Sequence, residues 1–280
     1  MKTSNILTEA LQLSPSELFV ADLQRMTNYY HDVVGLTIIE STKETTILGH
    51  NQTAAMKLTS KPKLAYASPR SAGLFHNAIL FDTRGDLAQA AGNTILHAPH
   101  HFAGTGDHLV SEAFYFNDPE GNGLELYFDR PTETWEWQNG LVKMDTLYID
   151  PSDYINKHAS EISNTGKKLG HVHLKVGDIS DARAFYVHLL GFNITATVPG
   201  ALFISIGGYH HHLALNTWMS EGAGMRQRTL GLSEITITLD SGADINRLAI
   251  RLEDAGYPFS LTGSVLHVID PWGNSLLFAY

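Results

Sequence analysis

The stretch that decides the fold is LKVGDISDARAFYVHLLGFNI, Leu174 to Ile194, because the chain contains it twice. The earlier copy is LFVADLQRMTNYYHDVVGLTI, Leu18 to Ile38, and the two align without a gap. Each copy predicts a short alternating strand, an Asp that opens a helix, an aromatic-rich amphipathic helix, and a Gly that ends it. Further strands follow both copies, TTILGH and TAAMKL after the first and ALFISIG and HHHLALN after the second. An internal repeat of this kind fixes the architecture before any other feature is considered.

A second pair of similar stretches alternates with the first pair. GLFHNAILFDTRGDLAQAAG, Gly73 to Gly92, matches GLSEITITLDSGADINRLAI, Gly231 to Ile250. The first runs on to DPEGNGLELYF, which starts at Asp118, and the second to DPWGNSLLFAY, which starts at Asp270. The Asp-Pro and Gly-Asn pairs are typical of turns, so each phrase predicts a hairpin that leads into a final strand.

The chain therefore divides into four units of about 50 residues, at 13–58, 73–128, 169–216 and 231–280. Each unit has the order βαβββ, which predicts the α+β class. A four-stranded sheet with one helix cannot cover both of its faces, so we expect the units to pair into half-barrels that enclose a cavity.

The repeat also predicts a division into domains. We expect an N-terminal domain over residues 1–130, a connecting segment over 131–168, and a C-terminal domain over 169–280. At the start of the connecting segment, we interpret Arg130, Trp135 and Trp137 as anchors of the linker, with closure over the cavity as the alternative.

Composition limits the possible partners and the possible chemistry. The net charge is −10 and the 19 Lys and Arg residues are scattered, which argues against a nucleic-acid partner. The absence of cysteine excludes disulfides, thiolate metal sites and a cysteine nucleophile. Any metal site must therefore be built from carboxylates and the 15 histidines.

The hydrophobic pattern gives no sign of a membrane protein. No apolar run approaches the roughly 18 residues that a membrane span needs, and the first residues lack the features of a signal peptide. We therefore expect a cytoplasmic protein without a membrane partner. The exposed edges of half-barrels make a homo-oligomer plausible.

Three motifs connect these units to a known superfamily. HVHLKVGDI, AFYVHLLGF and DPEGNGLELY resemble the vicinal oxygen chelate superfamily, which includes glyoxalase I, fosfomycin-resistance proteins and type I extradiol dioxygenases. The four-unit length favours the extradiol branch, and DHLVSEAFYFNDPEGNGLELYFDRP with GGYHHHLALNTW looks like the catechol-2,3-dioxygenases of Bacillus. The resemblance implies a metal in the barrel, with ligands on the first and last strands of the units.

An iron extradiol site implied by this resemblance needs two histidines and one carboxylate on one face of the metal. The second unit supplies His76 and Glu125, and the third unit supplies His171. The matching positions in the other units lack ligands of this set. They hold Pro15 with Glu17 as a weak substitute, Glu234 in place of the unit 2 histidine, and Leu277 in place of the unit 2 glutamate.

This distribution bears on how the units pair. Pairing in chain order, 1 with 2 and 3 with 4, leaves two incomplete ligand sets. Pairing unit 2 with unit 3 brings His76, Glu125 and His171 into one barrel and leaves units 1 and 4 as a metal-free companion. We adopt the second arrangement as a hypothesis, while the sequence leaves the first open. Fe(II) is the expected metal and Mn(II) is the alternative, since both accept this ligand set.

The resemblance also implies residues that act on the substrate. His211 matches the extradiol acid/base histidine, which takes a proton from the catechol, and its alternative role is that of a fourth ligand. Strand alternation predicts that His211 faces away from His210 and His212. Tyr115 matches an active-site tyrosine, with a wall position as its alternative interpretation. His108 lies near the position of another active-site histidine, but its spacing differs by about two residues.

The expected function is ring opening of a catechol by dioxygen, next to its vicinal diol, in a metal-dependent extradiol dioxygenase. Two alternatives remain from the same superfamily. One is an isomerase or thiol transferase of the glyoxalase type, in which the metal acts only as a Lewis acid. The other is a binding protein for small molecules without catalysis.

Overall fold

Two eight-stranded sheets carry the fold in the computed structural model, which describes residue 7 and residues 11–280. Both sheets are built from the repeated units that the sequence predicts, so the α+β class and the βαβββ units are confirmed. Within the described part of the chain, no helix combines the length and the hydrophobicity that crossing a membrane requires.

In the first half of the chain, the described residues form ten strands and three helices. The elements of unit 1 are β1 Leu11–Val20, α1 Leu23–Asn28 with a π-helical turn at Tyr29–Val33, β2 Thr37–Ser41, β3 Thr45–His50 and β4 Thr53–Ser60. The elements of unit 2 are β5 Gly73–Phe81, α2 Arg84–His97, β6 Phe102–Asp107, β7 Ser111–Asn117 and β8 Gly123–Asp129. The connecting segment adds β9 Trp137–Gln138, β10 Leu141–Val142 and α3 Pro151–His158, and short 3₁₀ turns occur at Pro99–His101 and Thr132–Thr134.

The second half repeats the same order. The elements of unit 3 are β11 Lys167–Lys175, α4 Ile179–Ala182 with a π-helical turn at Arg183–Leu189, β12 Asn193–Val198, β13 Ala201–Ser205 and β14 Leu213–Asn216. The elements of unit 4 are β15 Gly231–Leu239, α5 Gly242–Asp254, β16 Phe259–Thr262, β17 Val265–Ile269 and β18 Ser275–Ala279.

The strand order confirms the pairing of units 2 with 3 and 1 with 4. One sheet runs β12-β13-β14-β11-β5-β8-β7-β6, and we call it the site sheet. The other runs β16-β17-β18-β15-β1-β4-β3-β2, and we call it the companion sheet. In each, the antiparallel contact between two first strands joins the units, β5 with β11 and β1 with β15. Each sheet thus takes one unit from each half of the chain, and the division into domains at 131–168 stays a prediction from the repeat.

Pro15 lies at an irregularity of the companion sheet. Leu13 pairs with Ile237 and Ser16 pairs with Ile235, so the β1 strand carries an extra residue between these pairs. Proline has no N–H group to donate to a ladder, and such a residue is tolerated at a bulge. The position that corresponds to His171 is therefore occupied by a residue that shapes the backbone.

The helices begin where the sequence predicts. Asp22 caps α1 by accepting a hydrogen bond from the backbone N–H of Arg25, and Asp178 caps α4 by accepting one from Asp181. These side chains satisfy backbone groups that the first helical turn leaves unpaired. Both aspartates are thus explained by helix capping.

The repeated DP-x-GN phrase connects units that are consecutive in the chain. Asp118 accepts hydrogen bonds from the backbone N–H groups of Glu120 and Asn122, and from the hydroxyl of Tyr30 in unit 1 at 2.9 Å. Asp270 repeats the arrangement in its own turn and accepts from the hydroxyl of Tyr186 in unit 3, also at 2.9 Å. The sheets join units 1–4 and 2–3, whereas these tyrosine–aspartate bonds join units 1–2 and 3–4.

Removing one of these buried hydroxyls should destabilise the fold. In Tyr186→Phe, the buried carboxylate of Asp270 loses a donor, and we expect the free energy of unfolding to fall by about 1–3 kcal/mol. Tyr257→Phe is the matched control, because its hydroxyl donates to the carbonyl of Ile269 in an exposed bond, and we expect a loss of roughly 0.5 kcal/mol. Urea unfolding of both variants measures the difference. Equal losses of unfolding free energy in the two variants would show that the buried Tyr186–Asp270 bond contributes no more than the exposed bond of Tyr257.

Candidate metal centre

Three neighbouring strands of the site sheet place the predicted ligands on one face. In the register of β11, β5 and β8, His171 pairs with Ala78, which pairs with Glu125. In the next row, two residues along each of β11 and β5, His173 pairs with His76. Residues two apart on a strand point to the same face, so both rows face one side of the sheet.

Ala78 allows the ligands to meet. His171 and Glu125 are on strands two apart in the sheet, so roughly 9–10 Å separates their backbones. The residue between them is fully buried and has only a methyl side chain, which leaves room for both longer side chains to extend over it. As a result, Nε2 of His171 lies 3.1 Å from Oε2 of Glu125.

The geometry of His76, Glu125 and His171 fits a metal ion. Nε2 of His76 lies 2.9 Å from the same glutamate oxygen, and one donor atom from each residue lies within 4.8 Å of the others. Three ligand atoms at about 2.1 Å from a metal, at right angles to each other, are separated by about 3 Å. All three residues are buried, and they form the one such group of His and acidic residues in the described chain.

The lack of a hydrogen-bond partner at Nε2 of His76 supports the same interpretation. Despite its short distance to Glu125, Nε2 of His76 is not aligned for a hydrogen bond, and among the described residues this buried atom has no hydrogen-bond partner. A buried nitrogen without a partner costs free energy unless something binds its lone pair. A metal ion at the point where the two histidines and Glu125 converge would supply that partner.

The charge state of the site suits a cation. Burial alone would raise the pKa of Glu125, but the charge and the hydrogen bond of the adjacent His171, together with the charge of His76, hold it well below its usual value. Burial lowers the pKa of His171 against the opposing effect of Glu125. We infer an ionised Glu125 beside a neutral His171, which is the state in which a carboxylate and an imidazole bind a metal.

Tyr115 and His108 lie beside Glu125 and His76. Tyr115 is the cross-strand neighbour of Glu125, and its ring centre is 5.7 Å from that of His76. Burial and the nearby carboxylate of Glu125 raise the pKa of the Tyr115 hydroxyl well above its usual value. Nδ1 of His108 donates to the carbonyl of Asp145 at 2.8 Å, and its Nε2 forms a hydrogen bond of 2.6 Å with the Tyr115 hydroxyl. The two residues form one hydrogen-bonded pair at the edge of the site.

His173 belongs to the wall of the site. Its Nε2 accepts a hydrogen bond from the side-chain amide of Asn216 at 2.9 Å, so this nitrogen is already used. The ring lies 4.9 Å from that of Phe75 and 5.5 Å from that of Trp218, measured between ring centres. These three aromatic rings extend from His76 towards the surface, where Trp218 is half exposed.

His211 lies against His171, with ring centres 4.1 Å apart. Burial, followed by the nearby histidines, lowers its pKa well below the usual value, so the ring is neutral. Among the described residues, no group forms a hydrogen bond with its Nε2. This nitrogen is therefore available to a substrate in the site.

The predicted orientation of His210 is wrong. Alternation places His210 on the opposite face from His211, but their Nδ1 atoms lie 2.7 Å apart. The reason is that β14 begins only at Leu213, so the three histidines lie before the strand and do not alternate. The turn at Gly207 and Gly208, both at positive φ, gives this segment its course.

Tyr127 was not predicted, although it lies on the same face of β8 as Glu125. Its ring centre lies 4.7 Å from that of His171, so it supports the ligand from the side. The close approach requires Gly170, since a Cβ atom there would lie 1.7 Å from the Tyr127 hydroxyl. The position of Tyr127, two residues after a predicted ligand, is the signal that could have identified it.

The companion sheet has an ion pair where the site sheet has histidines. Glu17 occupies the place of His173, and Oε1 of Glu17 lies 3.0 Å from Nζ of Lys57. The other carboxylate oxygen of Glu17 accepts from the Ser233 hydroxyl at 2.9 Å. Glu234 is partly buried, and burial followed by the charge of Glu17 raises its pKa. The charge of Glu17 is thus balanced by a lysine of the chain itself.

The comparisons with known proteins cover most of the chain. The model of the glyoxalase/bleomycin resistance protein/dioxygenase superfamily matches residues 12–126 and 168–276. A curated relative, the catechol-2,3-dioxygenase of Bacillus subtilis, is 34% identical over 272 residues, which is 94% of this chain and 95% of the relative.

Solved structures have a similar fold. Glyoxalase I from Zea mays is 17% identical with a TM-score of 0.59, and the match covers 96% of this chain and 92% of that one. The cppA protein of Streptococcus pneumoniae is 10% identical with a TM-score of 0.56, and the match covers 98% of both chains. At these identities the likeness concerns the fold alone.

Proposed function

The chain belongs to the glyoxalase/bleomycin resistance protein/dioxygenase superfamily, and within it we propose that the protein is an extradiol dioxygenase. It would use a metal ion held by His76, Glu125 and His171 to open the ring of a catechol next to its vicinal diol. Both atoms of dioxygen would enter the product.

The observation that carries this proposal is the convergence of two imidazoles on one oxygen of Glu125, at 2.9 and 3.1 Å. Three protein ligands on one face would leave exchangeable positions on a bound metal, as binding of both a catechol and dioxygen requires. The full-length similarity to a relative named as a catechol-2,3-dioxygenase supports the same choice of substrate.

The metal, when bound, would supply the coordination of both substrates and the path for electrons between them. The protein must remove a proton from the catechol, and Nε2 of His211 is the group suited to do so. Its ring is neutral and contacts His171, and among the described residues no group forms a hydrogen bond with this nitrogen.

The walls of the site suit an aromatic ring. Phe75, His173 and Trp218 provide aromatic surfaces on one side, and Phe203 lies 5.0 Å from His211 between ring centres. Aromatic pairs of this kind favour the binding of a flat ring and exclude water from the site. Tyr115 and His108 lie at the edge beside His76 and would orient the substrate through the Tyr115 hydroxyl.

Fe(II) is the proposed metal and Mn(II) is the alternative, because both accept a set of two imidazoles and one carboxylate. The test is to load the protein with each metal under anaerobic conditions and then to add catechol and air-saturated buffer. We expect the iron-loaded protein to consume one equivalent of dioxygen per catechol and to form the yellow ring-opened product. No oxygen uptake with any simple catechol, with iron bound, would contradict the proposal.

An enzyme of the glyoxalase type would give a different result in the same measurement of oxygen uptake. An isomerase would convert the adduct of a thiol and an α-ketoaldehyde without taking up dioxygen. Such an enzyme would also use a fourth protein ligand, for which His211 is the nearest histidine to His171 in the described structure. Metal spectroscopy that finds three histidine nitrogens on the ion would therefore favour this alternative.

A further inference from the structure

A chain of hydrogen bonds leads away from His211 on the side opposite its Nε2. Nδ1 of His211 lies 2.7 Å from Nδ1 of His210, and Nε2 of His210 lies 2.7 Å from Oδ1 of Asp129. The second oxygen of Asp129 accepts from the hydroxyl of Tyr209 at 2.7 Å, and that hydroxyl lies 2.8 Å from the hydroxyl of Tyr127. The carboxylate therefore has one partner on each oxygen.

The donors and acceptors in this chain determine one another. An ionised carboxylate only accepts hydrogen bonds, so Nε2 of His210 must carry a hydrogen. When the ring of His210 carries only this hydrogen, its Nδ1 is an acceptor, and the hydrogen between the two rings belongs to Nδ1 of His211. A neutral His211 with its hydrogen on Nδ1 has its lone pair on Nε2, which is the nitrogen that a substrate can reach.

Packing holds the intermediate ring in place. His210 is fully buried, and its ring centre lies 4.2 Å from that of Tyr209 and 5.1 Å from that of Trp135. The hydroxyl of Thr195 donates a hydrogen bond to the backbone carbonyl of His210. A ring confined in this way cannot turn to offer its other nitrogen without displacing both aromatic neighbours.

Strand β8 carries both the proposed metal ligand Glu125 and the carboxylate of Asp129. Glu125, Tyr127 and Asp129 are two residues apart along β8 and lie on one face of the site sheet. The backbone of β8 therefore sets the positions of Glu125, of the Tyr127 ring that packs against His171, and of Asp129 at the end of the hydrogen-bond chain.

We propose that Asp129 and His210 are positioning residues that set the tautomer of His211, so that its Nε2 is ready to accept a proton from the substrate. The proposal rests on the proposed function for the identity of the substrate. The arrangement of hydrogen bonds that it describes can be measured without any turnover. In other enzymes, a carboxylate that accepts a hydrogen bond from a catalytic imidazole fixes the tautomer of that ring. Here the carboxylate of Asp129 would act on His211 through the intervening ring of His210.

Kinetics of two variants test the proposal. Asp129→Ala removes the acceptor that fixes His210, and we expect kcat to fall roughly 10- to 100-fold with KM and bound iron unchanged. Tyr209→Phe is the matched control, because it removes the other hydrogen bond to Asp129 but keeps the one from His210. We expect its kcat to stay within about two-fold of the wild-type value. An equal fall in both variants would overturn the positioning role, since it would show a general effect of the buried polar network.

A spectroscopic measurement gives a second, independent readout. Nitrogen-15 shifts of His211 in protein loaded with diamagnetic Zn(II) report which ring nitrogen carries the hydrogen. We expect hydrogen on Nδ1 in the wild type and in Tyr209→Phe, and a mixture of tautomers in Asp129→Ala and in His210→Phe. Hydrogen on Nε2 of His211 in the wild type would overturn the proposal, even if the protein proved to be an active dioxygenase. If the nitrogen-15 shifts of His211 are as expected but the iron-loaded protein has no oxygenase activity, the positioning role of Asp129 and His210 stands and only the proposed reaction is refuted.

Discussion

Glu125→Ala is expected to abolish metal binding and, with it, all oxygenase activity. The carboxylate is the point at which both histidine nitrogens converge, and it supplies the negative charge of the ligand set. Without it, two neutral imidazoles in a buried site would have to hold a divalent cation with no charge compensation. We expect the affinity for Fe(II) to fall at least 1,000-fold, which corresponds to about 4 kcal/mol. Titration of the apo-protein with Fe(II) under anaerobic conditions measures the change.

Glu234→Ala is the matched control for this variant. Glu234 occupies the position of His76 in unit 4, and its sheet holds the Lys57–Glu17 ion pair, with no group of potential ligands among the described residues. We expect its iron affinity to stay within about two-fold of the wild-type value. If instead Glu234→Ala lost the metal and Glu125→Ala retained it, the metal centre would belong to the companion sheet and the assignment of ligands would be wrong.

His211→Asn is expected to remove activity while the metal stays bound. The imidazole contacts His171 but is not one of the three converging ligands. Loss of a positioned acid/base group typically lowers the rate by a factor of about 10² to 10⁴. We therefore expect kcat for catechol to fall by a factor in this range, with the iron content unchanged. Steady-state kinetics combined with iron analysis of the same samples measures both quantities.

The neighbouring histidine provides the control for that experiment. His212 is also buried, but its Nδ1 lies 2.8 Å from the hydroxyl of Ser205, and its ring packs against Tyr209. His212→Gln should therefore keep kcat within about three-fold of the wild-type value. If His211→Asn lost its iron together with its activity, His211 would be a fourth ligand and the glyoxalase-type chemistry would be favoured.

The pairing of the units could be predicted because the sequence shows where ligands are missing. Pro15, Glu234 and Leu277 all fall in units 1 and 4, and the strand order places these two units in one sheet. His76, Glu125 and His171 fall in units 2 and 3 and lie together on one face of the other sheet. Strand alternation and a repeat with a constant offset were sufficient for this part, because both depend on backbone geometry alone.

The hydrogen-bond chain beyond His211 could not be predicted, because it depends on where one strand begins. A start of β14 at Leu213 leaves His210 free to turn towards His211, whereas a start a few residues earlier would have separated them. The partner of His210 is Asp129, which lies 81 positions earlier in the sequence, in another unit. Contacts of this kind arise from the packing of side chains between units, for which a single sequence has no periodic signal.

The role of the DP-x-GN phrase likewise became clear only from the fold. The sequence identifies it as a hairpin motif, and its aspartate also accepts a hydrogen bond from a helix of the preceding unit, through Tyr30 or Tyr186. The phrase is therefore retained in both halves for structural reasons. The glutamate that follows it is present only in unit 2, where it meets the two histidines.

The measurement that tests the central claim most directly is the fate of labelled dioxygen. Iron-loaded protein is mixed with catechol and ¹⁸O₂, and the product is analysed by mass spectrometry. The proposed function predicts a single ring-opened product that contains both labelled atoms, formed by the wild type and not by Glu125→Ala. Unchanged catechol, a product without label, or the same product from both proteins would contradict it.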